Sequence, residues 1–526
     1  MDAPYIPSSM EREFYYYGIY SRPPLVARSS YDRWIAPTGP EAYLASKEIK
    51  PAGLTALKGV WEKSLGRAMG EYLDSMGVQC SSLDPIRIGT VDEETPPLII
   101  WVGVNPGSLT PEDGVKVAIQ CKGMLDEYSF HDIHIEIRES QFTLAAKLYR
   151  PVVNSNPTAK AREAFSTSLG IPISSEATPD IGGTAAFFFS VANRKGKLFL
   201  LTARHVLFPP DSEPNELYIY RGSGDKKRNV LLLGHEGYKK RIELIESEIK
   251  DRVMMIEYLH RRMDAADRMG DKEDAEKERM EVRYELEKEN NSKVVLEEFL
   301  LEVERNWGKI ENRIIGHVVL SPPLKFNVGD RGSTQDWAVI EIHKSKVDET
   351  NFLGNCIDLD PSIDVTRFTK WMYPHPTNPH WFSYPENRLL SIFDKLSDKE
   401  MKRPDPKIID QHKDPVIMVI KNGATSGVTA GRLNTIDSFI RFYYKGKPGE
   451  WSREVSVLGR DSKSGPFSYK GDSGSAVVAG DGKLAGLLTG GTGPPEALDC
   501  TYVTSIDAIL EGLELFDYKA NLYPIV

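Results

Sequence analysis

Apolar residues follow two rhythms along this chain, and the change from one to the other divides it. Over roughly 54–76 the apolar positions recur at a helical spacing. They then close up into Leu98-Ile99-Ile100-Trp101-Val102, and after a second helix to about Leu125 they alternate as Ile133, Ile135 and Ile137. Thr110-Pro111 marks the start of that second helix, with a hydroxyl able to cap it and a proline suited to its first turn. Beyond about residue 180 the apolar runs are short and strand-like: 182–190, 199–206, 314–320, 336–342 and 483–491, divided by turn residues such as those at 193–197. A helical stretch interrupts this series. Ile242, Ile245, Ile249, Ile256, Leu259 and Met263 recur in threes, fours and sevens, and Met269-Gly270-Asp271 offers a reversal. Val282, Leu286, Leu296, Leu300, Val303 and Trp307 then return on a similar spacing, with a break expected at Asn290-Asn291-Ser292. Each helix carries a single apolar stripe, so the pattern predicts an antiparallel hairpin in which each covers the other; an arm for self-association is the alternative.

The expected architecture is multidomain: an N-terminal α+β domain over 1–165, and a strand-rich domain over 166–526 with a helical insertion at 236–308. A chain of 526 residues, 40% of them hydrophobic, can bury more than one core. The formal net charge of −10 argues against general binding to nucleic acid. No apolar stretch is long enough to cross a bilayer, and Met1-Asp2-Ala3-Pro4 does not begin a secretory signal. Cys80, Cys121, Cys356 and Cys500 are scattered without framework spacing, so disulfides are not expected and a cytoplasmic location is. His131 and His134 fall on opposite faces of a strand, and no third ligand joins them; neither a metal nor any other cofactor is expected.

The candidate chemistry lies in three separate segments. Gly471-Asp472-Ser473-Gly474 sets a serine between two glycines ahead of the apolar run 476–478; such a turn can aim the amides of Gly471 and Ser473 at a developing oxyanion. A serine hydroxyl needs a base, and that base needs a partner to orient it. Phe199-Leu200-Leu201-Thr202-Ala203-Arg204-His205 is an apolar strand that ends at a histidine, and Asp336-Trp337-Ala338-Val339-Ile340 leads from an acid into another strand.

These three matches, in the order His205, Asp336, Ser473, resemble the chymotrypsin- and trypsin-like serine proteases of the PA clan. The whole chain also resembles intracellular trypsin-like proteins of filamentous, mushroom-forming fungi. The resemblance implies an all-β fold of two six-stranded barrels and a serine endopeptidase with a peptide or protein substrate. It further implies that Phe467 and Ser468 form the base of the primary specificity pocket, with Thr489, Cys500 and Tyr502 on its walls and Gly490 and Gly491 at its mouth. No charge falls among them, so an apolar or small residue before the scissile bond is expected rather than Lys or Arg.

Asp180-Ile181-Gly182-Gly183 looks like the new N-terminus of a cleaved zymogen, but these residues are expected to start the strand before His205. Asp472 is thereby left without an identified partner. The Pro- and aromatic-rich stretch 371–414 reads as an ordered loop with one short helix, and its His375, His380 and His412 are expected to be structural. Two other functions fit the same sequence. One is a catalytically silent scaffold; the other is a self-processing enzyme cutting an accessible site near 154–175.

Overall fold

In the computed structural model, which describes residues 4–19, 21–37, 43–91, 93–140, 146–222, 227–379, 384–444, 447–493 and 498–525, the chain divides into units Met1–Leu144 and Ala145–Val526. In the first unit, strands β1 (Leu25–Arg28), β2 (Lys47–Pro51), β3 (Cys80–Thr90), β4 (Leu98–Val104) and β5 (His134–Glu139) form one sheet in the order β1-β5-β4-β3-β2. β4 and β5 are parallel and are connected through helix α1 (Pro111–Glu127). A parallel pair at the sheet centre needs cover on both faces, which explains why β4 is an unbroken apolar run buried at every position. The Thr110 hydroxyl accepts from the Asp113 amide at 3.2 Å and caps α1, whose Val115, Ala118, Cys121 and Leu125 pack with Ile100 and Val102.

The second unit begins with β6 (Pro172–Ser175), β7 (Thr178–Val191), β8 (Phe199–Thr202), β9 (Asn229–Leu232), β10 (Ile314–Ser321) and β11 (Ala338–Ile342). Their antiparallel pairings run β9-β6-β7-β8-β11-β10 and return to β9, so the sheet is a closed six-stranded barrel. The chain continues with β12 (Ile417–Gly423), β13 (Gly427–Leu433), β14 (Ser438–Tyr444), β15 (Lys447–Gly459), β16 (Ala476–Ala479), β17 (Lys483–Thr492) and β18 (Cys500–Ser505). Here the pairings run β17-β16-β12-β13-β15-β18 and return to β17. β14 stands outside that ring and, among the described residues, pairs only with β15.

Phe187, Phe188 and Phe189 of β7 are all fully buried, so both faces of the strand are covered. Part of the same core comes from helices α2 (His235–Ala266) and α3 (Lys272–Trp307): Ile245, Phe299, Val303 and Trp307 belong to one cluster with the barrel strands. Farther out, Leu259, Val282 and Leu296 are buried along the two helices, and Arg252–Glu289 (3.0 Å) and Arg262–Glu285 (2.9 Å) bridge them. α3 runs unbroken through Asn290-Asn291-Ser292, contrary to expectation. The Ser292 hydroxyl donates to Lys288 O and the Asn290 side-chain amide to Leu286 O, both at 2.8 Å, so these polar groups are satisfied within the helix.

Two sequence expectations shift with this packing. Residues 145–165 belong with the second unit rather than the first, because Leu148 and Phe165 join the barrel core and the Phe165 ring lies 6.1 Å from that of Trp307. The stretch 154–175 is not an accessible cleavage site over most of its length, since every residue from 164 to 175 is buried. The stretch 371–414 contains, besides helix Asp398–Met401, two short strands, Leu389–Ser391 and Asp394–Lys395.

Candidate active site

His205 follows β8 by three residues, in a short helical turn held by its neighbour. Arg204 is buried, and its guanidinium donates to Ser321 O (3.0 Å), Ser321 Oγ (2.9 Å), Pro322 O (2.9 Å) and Glu216 O (2.9 Å). Burial pushes Arg204 down to about 10. Ser321 in turn donates to Trp337 O at 3.1 Å, which ties the histidine turn to the segment bearing the aspartate. Asp336 is 4% exposed and accepts twice from His205: Oδ1 from the backbone N–H at 3.0 Å, and Oδ2 from Nδ1 at 2.6 Å. Two bonds from one carboxylate fix both the position of the residue and the plane of its ring, which leaves Nε2 as the nitrogen free to take a proton. Burial lowers the His205 pKa, but the Asp336 charge and hydrogen bond outweigh it, and the net shift is upward.

Ser473 is half-buried, on the loop before β16. Its carbonyl accepts from the Thr184 amide at 2.8 Å, and the Thr184 hydroxyl donates to Gly471 O at 3.0 Å, so a residue of β7 grips the serine loop at two points. Gly471 and Gly474 take φ of +100° and +92°. A Cβ on Gly474 would lie 2.0 Å from Thr184 O and 3.2 Å from Ala203 N, so the loop rests directly against the strand end that leads to His205. The amides of Asp472, Gly474 and Ser475 donate to Tyr469 O, Leu488 O and Asp472 O. Those of Gly471 and Ser473 meet no protein acceptor among the described residues. The arrangement therefore offers an oriented imidazole, a serine on a loop packed against the strand end that leads to it, and two N–H groups flanking Asp472 with no acceptor among the described residues.

Sequence reasoning missed what holds Asp472. Its carboxylate is fully buried and accepts from Thr425 N (3.0 Å), Ser426 N (3.1 Å), Ser426 Oγ (2.6 Å) and Tyr469 N (2.9 Å). Lys421 of β12, also fully buried, brings its ammonium within 3.1 Å. Burial lowers the lysine pKa, opposed by the Asp472 charge. The residues of 180–183 lie inside β7, where its chain is continuous with β6 pairing, so no free N-terminus is required there.

Of the residues expected around the specificity pocket, Thr489, Gly490, Gly491 and Tyr502 line a cavity of about 480 Å³ together with His205 and Asp336. Phe467, Ser468 and Cys500 do not line it. Phe467 packs into the core of the second ring, and Ser468 is buried with its hydroxyl bonded to Thr501 Oγ1 at 2.6 Å. The lining also includes aromatic residues that sequence reasoning did not single out: Phe326, Phe439, Phe442, Tyr443 and Trp451. The available signal was 438–444, Ser-Phe-Ile-Arg-Phe-Tyr-Tyr, which is apolar on both faces where a solvated strand would alternate.

His131 and His134 have other partners, Asp126 at 3.0 Å and Ser29 Oγ at 3.3 Å, and His380 lies outside the described residues. Among the described residues no cluster of His, Cys, Asp and Glu could hold a metal ion, and no helix is long and apolar enough to cross a membrane. All four cysteines are free thiols.

No protein-family model matches the chain, and no curated protein does. Solved structures similar to it include serine proteases. A glutamic acid specific serine protease is 11% identical (TM-score 0.30; 66% of this chain, 98% of that one), and the Nocardiopsis protease NAPase is 10% identical (0.29; 68% and 100%). Thermobifida fusca protease A is 9% identical (0.28; 66% and 96%). The likeness to fungal proteins has no support among these matches.

Proposed function

We propose that the second unit is a double-barrel serine endopeptidase in which His205, Asp336 and Ser473 act as the catalytic triad. The observation that carries this reading is the two-point bond between Asp336 and His205, at 3.0 and 2.6 Å, together with a serine loop whose Gly471 and Ser473 amides have no acceptor among the described residues. Ser473 Oγ attacks the carbonyl carbon of a peptide bond while His205 Nε2 takes its proton. The tetrahedral oxyanion accepts from the Gly471 and Ser473 amides. The imidazolium, stabilised by Asp336, then protonates the leaving amine, and water repeats the sequence to release the acyl group and regenerate the serine. The substrate is a peptide or protein, and neither metal nor cofactor takes part.

The test is covalent labelling with a fluorophosphonate, read by intact mass. One adduct on the wild type, absent from both Ser473→Ala and His205→Ala, is the expected result. A folded wild type that takes no label would overturn the reading in favour of a silent scaffold.

A further inference from the structure

The cavity beside His205 has unlike walls. On one side is the end of β17, where pairing with β16 stops at Leu487 while pairing with β18 continues from Gly486 to Thr492. Among the described residues, 489–492 thus have one edge with no strand neighbour. Gly490 lies on this stretch, and a Cβ added there would meet nothing within 4 Å. A polypeptide main chain can approach such an edge closely and extend the sheet by one strand.

The other side is aromatic. Phe439 is 66% exposed, Tyr443 61% and Trp451 55%, all on the β14–β15 ribbon that projects from the ring. Contiguous exposed rings of this kind are uncommon on a protein surface unless something covers them. Phe439, Trp451 and the neighbouring Phe442 each have an aromatic or cationic partner. Phe442 stacks on Phe326 at 6.0 Å, and the Arg441 and Arg453 guanidiniums lie over Trp451 and Phe439 at 5.4 and 5.9 Å. The rings and Gly490 line the same cavity of about 480 Å³. An open edge facing preset rings fits an extended peptide whose backbone pairs with 489–492 and whose bulky side chain enters the aromatic wall.

We infer that the β14–β15 ribbon determines specificity: it selects polypeptide substrates carrying a large apolar or aromatic side chain a short distance along the chain from the scissile bond. The inference rests on the endopeptidase reading, so its test has an arm that needs no turnover. In the first arm, quenched fluorescent peptides carry Phe, Leu, Ala, Glu or Lys at successive positions on either side of the cleaved bond. At one or two positions Phe is expected to exceed Ala by about tenfold or more in kcat/KM, mainly through KM. That ratio should fall to near unity in Trp451→Ala and Phe439→Ala and persist in Trp451→Phe. A flat profile, or a preference the alanine variants keep, overturns the inference.

In the second arm, fluorescence anisotropy measures binding of a Phe-containing peptide and its Ala counterpart to full-length Ser473→Ala. The Phe peptide should bind about tenfold more tightly, and Trp451→Ala in the same background should remove the difference. Equal binding of the two peptides refutes the aromatic wall whether or not the chain is a protease. Failure of fluorophosphonate labelling with the binding difference intact refutes only the protease.

Discussion

Replacing Lys421 with methionine tests whether the serine loop depends on one buried charge. Both members of the Lys421–Asp472 pair are fully buried, 3.1 Å apart, and removal of the ammonium strands a carboxylate in the protein interior. Breaking a buried pair from one side destabilises by about 3–5 kcal/mol. Asp472 would keep its bonds from Thr425, Ser426 and Tyr469, which places the expected loss near the lower end, about 3 kcal/mol. Urea unfolding at neutral pH reads that loss directly, as a fall in midpoint at constant slope. The double variant Lys421→Met/Asp472→Asn removes the stranded charge and should recover part of it, since the amide oxygen still accepts from Thr425 N and Ser426 N while the NH2 gives up the bond from Tyr469 N. Fluorophosphonate labelling of Lys421→Met should slow by at least about tenfold, because on the proposed reading Asp472 sets the turn between the two amides that bind the oxyanion. A single variant within about 1 kcal/mol of wild type, or a double variant no more stable than the single, would refute the reasoning.

The raised pKa of His205 makes the imidazolium persist above the ordinary value of 6.5, so its ring protons should titrate by NMR with a midpoint above 6.5; Asp336→Asn should move it below, and cut kcat by about 10³–10⁴-fold. Glu454 is buried within electrostatic reach of Asp336, accepts from the Thr334 amide at 2.7 Å, and burial pushes its carboxyl from 4.5 up to about 7. The folded state therefore holds that proton more tightly than the unfolded chain, and the stabilisation, complete below pH 4.5, should be lost as pH rises to about 7. Relative to Glu454→Gln, the wild type should lose up to about 3 kcal/mol across that window in urea titrations, and parallel curves would exclude the effect. Gly474→Ala should abolish labelling and destabilise the fold by more than about 1 kcal/mol, because φ is +92° and the added Cβ would fall 2.0 Å from Thr184 O. Trp307→Ala should cost about 3–5 kcal/mol in calorimetry or urea unfolding, since the ring is fully buried where α3 joins the barrel core; a loss below 1 kcal/mol would mean that the helices do not support the barrel.

What the sequence made legible, and what it hid, follows from the range of the interactions involved. Thr110 capping α1 and the β7–β8 hairpin are written in adjacent residues, where one hydroxyl or one turn decides the backbone. The boundary near 145 was not legible in this way. Leu148 and Phe165 sit among polar neighbours, and they are core residues only because Trp307, far along the chain, returns to meet them. Local composition carries no trace of a partner so distant.

The same distinction applies within the site. His205, Asp336 and Ser473 could be picked out because each stands at the end of an apolar run, a local mark. Lys421 has no such mark: it lies in the middle of Ile417–Gly423, where a charged residue in an apolar strand reads as pointing to solvent. Its role arises when β12 pairs with β16 and places the ammonium under Asp472. A lysine flanked by Val419, Ile420 and Asn422 with no exposure at all cannot be a surface charge, and a buried cation must have a buried acceptor. That requirement makes Asp472 more than a spacer between Gly471 and Ser473. Its carboxylate is pulled inward by Lys421 and four hydrogen bonds, and the amides on either side of it have no acceptor among the described residues. On the proposed reading, oxyanion binding depends on a strand some fifty residues before the serine, and it would fail there first.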